Sequence, residues 1–137
     1  MKPHEAFSTT ADVGIRIRGR DCRELFRQAL AGLNELLFGE SRAAFAATES
    51  HRFEYRGDSC ENVLVNLLGE IAFRVYEKRQ MVCGLRIGEA DRFHLKTELL
   101  VIPWPRIPRL EIKSVTYHRL KIVETEGMLT AEIVLDI

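Results

Sequence analysis

With 137 residues, 46% of them apolar and 29% charged, the chain has the length and composition of one globular domain with a buried core. Twenty basic residues balance twenty acidic ones, which excludes strong non-specific nucleic-acid binding driven by net positive charge. Arg outnumbers Lys fifteen to five, favouring planar, bidentate contacts with carboxylate or phosphate. Cys22, Cys60 and Cys83 are widely spaced and odd in number. They form neither a disulfide framework nor a zinc pattern, and are expected to be reduced, buried thiols. Residues 1–10 contain no apolar run, and no stretch approaches a membrane span in length. A single domain over residues 1–137, located in the cytoplasm, is the expectation.

In chain order, Val13, Ile15 and Ile17 alternate with Gly14, Arg16 and Arg18, which predicts a half-buried strand. Asp21 and Glu24 have the spacing of a capping box, and Leu25, Phe26, Ala29, Leu30, Leu33, Leu36 and Leu37 line one face of the helix that follows. Gly39 is its stop. A second strand is expected near Ser50–Arg56, with Phe53 and Tyr55 on one face. Asp58 and Glu61 form a second capping pair, before the stripe Val63, Leu64, Leu67, Leu68, Ile71, Ala72, Val75.

Beyond residue 79 the pattern turns to strands. Met81, Cys83, Leu85 and Ile87 alternate, as do Phe93, Leu95, Thr97, Leu99 and Val101, with a hairpin turn at Gly88–Arg92. Pro103, Pro105 and Pro108 remove three ladder donors, so that segment must be irregular. Leu120 and Ile122 mark another strand, Glu126-Gly127 a turn, and Leu129, Ala131, Ile133 and Leu135 a last strand. The expected fold class is α+β: two helices packed on antiparallel or mixed sheets, with a duplicated strand–helix–strand–strand unit.

No nucleophile turn, phosphate loop or dinucleotide fingerprint is present, and His4, His51, His94 and His118 lack metal-ligand spacing. An enzyme therefore finds no support in the motifs. Three segments stand out. Thr9-Thr10-Ala11-Asp12-Val13-Gly14 leads into the first strand, where Asp12 fits a turn residue as well as a functional one. Glu111–His118 gathers Lys113, Thr116, Tyr117 and His118, a pattern also found on a solvated strand face. Asp136 has the opposite parity to Leu129, Ala131, Ile133 and Leu135. It should therefore point away from the buried row, with the Ile137 α-carboxylate held beside it. Arg16, Arg18, Arg20, Arg23 and Arg27 form a basic strip that suits either a solvated face or a contact with RNA or a protein.

Together, TTADVGI, EIKSVTYH and the closing Asp136-Ile137 resemble the archease family over nearly the whole chain. Three departures accompany the likeness. Thr9 stands where the family has His, Leu67 replaces an aromatic residue, and Pro103–Pro108 replaces a Gly-Glu-rich loop.

The resemblance implies a non-enzymatic protein cofactor of an RtcB-type RNA ligase in tRNA splicing or RNA repair, promoting guanylylation and repeated turnover. It implies a divalent cation held by Asp12, Asp136 and Ile137, with Lys113 as the main functional side chain beside them. Such oxygen donors suit Ca2+, with Mg2+ or Mn2+ as alternatives. RNA would be met only indirectly. Two other readings are a small-molecule-binding module on the same scaffold, and a metal-dependent hydrolase using Asp12, Asp136 and His118.

Overall fold

The computed structural model describes residues 2–8, 12–40, 46–117 and 120–137. The elements, in order, are β1 (His4–Ser8), β2 (Asp12–Gly19), α1 (Cys22–Phe38), β3 (Glu49–Arg56), α2 (Cys60–Tyr76), β4 (Gln80–Ala90), β5 (His94–Pro103), β6 (Ser114–Thr116), β7 (Val123–Thr125) and β8 (Met128–Asp136). Two sheets form, and every pairing is antiparallel. The larger runs β1-β2-β8-β6, with β7 also paired to β8; the smaller runs β3-β5-β4. The fold is thus α+β.

The duplicated unit takes a definite form. β3-α2-β4-β5 places its last strand between the other two, and β2-α1-β6-β8 does the same, with β8 between β2 and β6. The β3-α2-β4-β5 unit is inserted into the other, between α1 and β6. Both helices touch both sheets. α1 lies on β1, β2 and β8 and reaches β4, while α2 lies on β3, β4 and β5 and reaches β6. One core results, built on Phe26, Phe38, Ile15, Leu64, Leu67, Ile71, Met81 and Leu95, all essentially inaccessible to solvent.

Local chemistry explains the boundaries. The Asp21 carboxylate accepts the Glu24 N–H at the start of α1, and Gly39 ends the helix at φ 78, returning its N–H to the Glu35 carbonyl. At α2 the cap is Ser59 rather than Asp58. Its hydroxyl accepts the Asn62 N–H at 3.1 Å, which leaves Asp58 one residue outside the helix. The turn Glu126-Gly127 has positive φ at both residues (53 and 78), the geometry that matches strand twist in a two-residue hairpin.

Other expectations need correction. β4 continues through Gly88 to Ala90 across a bulge, so the hairpin turns at Asp91–Phe93, where the Asp91 carboxylate accepts the Phe93 N–H at 2.8 Å. An earlier irregularity between Val82 and Gly84 brings Val82 into the core beside Met81, which strict alternation would have excluded. Leu120 and Ile122 pack on the core but lie outside any strand; the exposed Val123–Thr125 makes the pairing with β8. The Glu111–His118 stretch is a strand only at Ser114–Thr116, and His118 is outside the described residues.

Candidate functional site

Three sequence segments meet at one end of the larger sheet because β8 runs between β2 and β6. Asp136 is the register partner of Asp12 on one side and of Ser114 on the other. The Lys113 N–H donates to the Asp136 carbonyl at 2.7 Å, continuing the ladder by one residue. Ile137 follows at once and packs its side chain against the core. Asp136 is exposed and Asp12 half-buried. Side chains directly opposed on antiparallel strands have Cβ atoms about 4.5–5.5 Å apart, so two carboxylates share one small region.

Strand parity assigns each face. Val13, Ile15, Ile17, Leu135, Ile133, Ala131 and Leu129 face the helices, and Ile15, Leu135 and Ile133 are fully buried. Asp12, Gly14, Arg16 and Arg18, with their partners Asp136, Val134, Glu132 and Thr130, occupy the other face. Phe7 of β1 lies over Gly14. A Cβ on Gly14 would fall 2.1 Å from the ring, so the absent side chain is what admits it. The Arg16 guanidinium stacks on the same ring at 4.4 Å and bonds Glu132 at 2.9 Å, with Glu5 at 3.5 Å. The outer face is therefore acidic at the Asp12–Asp136 end and basic towards Arg18.

Lys113 shares the ladder but not this face. Its side chain is exposed, and it lines a cleft of about 300 Å3 with Gly69, Phe73 and Tyr76 of α2. Among the described residues it forms no ion pair with Asp12 or Asp136. The structure thus joins Asp12, Asp136, Ser114 and the backbone of Lys113, and directs the lysine along the α2 side of the sheet edge.

Sequence reasoning missed the residues that hold this edge in place. The Tyr76 hydroxyl donates to the Leu110 carbonyl at 2.7 Å and accepts the Ile112 N–H at 3.1 Å. Burial raises the pKa of this phenol. The Trp104 indole N–H donates to the Val75 carbonyl at 2.9 Å, so the proline-rich segment is pinned to the end of α2. Tyr117 accepts a hydrogen bond from the Asn62 amide at 2.8 Å, and Asn62 accepts one from Tyr55. Tyr76 completes the helical stripe in sequence, but nothing in that spacing reveals a polar clamp. The preference of buried tyrosines for a hydroxyl partner is the one available signal.

Oxygen donors of this kind suit a hard divalent cation. Among the described residues, no three His, Cys, Asp or Glu side chains converge in a metal-binding group. Among the described residues, Asp12 and Asp136 are the carboxylate side chains that this register pairs. Thr9, Thr10 and Ala11 lie outside the described residues.

A profile of the archease protein family matches residues 4–137. The archease of Methanothermobacter thermautotrophicus is 28% identical over 143 residues, and that of Pyrococcus abyssi 27% identical over 151, each alignment covering all of both chains. The solution structure of Methanobacterium thermoautotrophicum protein 1598 superposes with a TM-score of 0.75 at 27% identity, covering 100% of each chain. A Thermotoga maritima crystal structure, titled an archease and possible chaperone, shares the fold with a TM-score of 0.67 at 21% identity, over 97% of this chain and 96% of its own. The chain belongs to the archease family.

Proposed function

We propose that this protein is a non-enzymatic cofactor of an RtcB-type RNA ligase, and that a divalent cation held at the Asp12–Asp136 end of the larger sheet is its working group. The observation that supports this most is the cross-strand pairing of Asp12 with Asp136, which gathers residues 124 positions apart (136 − 12) at one sheet end. Two carboxylates brought opposite each other on adjacent strands repel. A bound cation reverses the sign of that interaction. Asp12, Asp136 and the α-carboxylate of Ile137 form the proposed ligand set, for Ca2+ first and Mg2+ or Mn2+ second. When bound, the ion supplies positive charge to a phosphoryl-transfer site in the partner. Lys113, exposed beside this end, provides a second cationic contact.

Multiple-turnover ligation by the cognate ligase tests the reading. The wild-type protein should stimulate turnover. Asp12→Asn and Lys113→Ala should each lose most of the stimulation while keeping the folded spectrum, since Asn keeps the size of Asp and Lys113 is exposed. Full stimulation by both folded variants would refute the assignment. Hydrolysis of RNA or nucleotides by the protein without any ligase would favour the hydrolase reading instead.

A further inference from the structure

We infer that the basic end of the outer sheet face binds a phosphoryl group carried on a small organic molecule. The site is a cleft of about 330 Å3 whose lining includes Lys2, Arg18, Lys121, Ile17 and Val123. It lies some six residues along β2 from Asp12, roughly 20 Å at 3.4 Å per residue. Two carboxylates, Glu5 and Glu132, also border it, but Arg16 holds both. Lys2, Arg18 and Lys121 form no ion pair among the described residues. The Arg18 Nε is buried and meets no acceptor among those residues. In a protein whose charges cancel overall, four cations against two carboxylates around one concavity leave a local positive excess that favours an anion.

Geometry narrows the anion. A guanidinium suits the oxygens of a phosphoryl group, and two lysines add point charge. Val123, exposed at the rim, supplies apolar surface, which bare phosphate would leave uncovered. The volume is at the low end for small-molecule sites, enough for one compact ligand. A nucleic-acid strand fits less well, because its path along the sheet would reach the acidic end at Asp12 and Asp136. The inference is independent of the proposed ligase role.

Backbone amide NMR of the intact protein, titrated separately with AMP, inorganic phosphate and adenosine, tests it. AMP should give saturable shifts at Arg18, Thr130 and Lys121. Phosphate should move the same amides at least tenfold more weakly, and adenosine should leave them still. Arg18→Gln and Lys121→Gln should each weaken AMP at least tenfold while leaving shifts elsewhere unchanged. Four results would overturn the inference: no saturation by AMP at 10 mM, equal binding of adenosine, equal binding of phosphate, or undiminished AMP binding by both variants.

Discussion

Cys22 and Cys60 are the first residues of α1 and α2, and their thiols are neighbours. The Cys60 thiol beside it, with help from the Arg92 charge, holds the Cys22 thiol below its ordinary pKa. The Cys22 thiol, and then burial, pushes the Cys60 thiol up. Thiolates, not thiols, are alkylated, so reactivity should separate the two. At pH 8, iodoacetamide should modify Cys22 well before Cys60, and Cys60 should become reactive only on unfolding. Peptide mass spectrometry over a time course checks this; equal rates in the folded protein would contradict the arrangement. The expectation of reduced thiols fits three free cysteines, of which Cys60 alone is buried and Cys22 and Cys83 are half-buried.

At the scale of the element, α2 offers a clean comparison. Ser59→Ala removes the hydroxyl that caps the Asn62 N–H and should cost about 1 kcal/mol. Asp58→Ala, one residue earlier, should stay within about 0.5 kcal/mol. Urea unfolding of both variants decides it, and the reverse order would restore Asp58 as the cap. Helices were legible in the sequence because their burial repeats every three to four residues over two long stretches, Cys22–Phe38 and Cys60–Tyr76. β1 was not legible. Its five residues include the half-buried His4, whose ring bonds Gln28 and Glu35 of α1, and Phe7, which covers Gly14 on the outer face. A strand held by such individual contacts has little periodicity to read. Parity did place Asp136 outside the buried row, as the structure shows. Parity could not place the Lys113 side chain, because residues 111–113 precede the short β6 and follow no strand pattern. The end of β8 yields a further expectation. A short C-terminal extension turns the Ile137 carboxylate into a neutral amide beside Asp136, and should weaken calcium binding at least tenfold. The same extension before Met1 should not, since β1 starts at His4 opposite Ile17, at the far end of the sheet from Asp12. Titration calorimetry compares them, and equal affinities would remove the terminal carboxylate from the ligand set.

Across the whole molecule, two strand–helix–strand–strand units, one inserted into the other, share one core, and the helices cover the inner faces of the sheets. The larger sheet is left with an outer face that is acidic at one end and basic at the other, divided by the Phe7–Arg16 stack. Zero net charge therefore hides a strong local asymmetry. No helix is long and apolar enough among the described residues to cross a membrane. The acidic end is proposed to bind a cation in the native state alone. A ligand at a hundredfold excess over its Kd stabilises such a state by about 2.7 kcal/mol, on the order of 10 °C for a chain of this size. The decisive measurement is the melting temperature with and without saturating Ca2+, for the wild type and for Asp12→Asn. A cation at this end should give a rise of that order in the wild type and little or none in the variant. No rise in the wild type, or an equal rise in both, would contradict it.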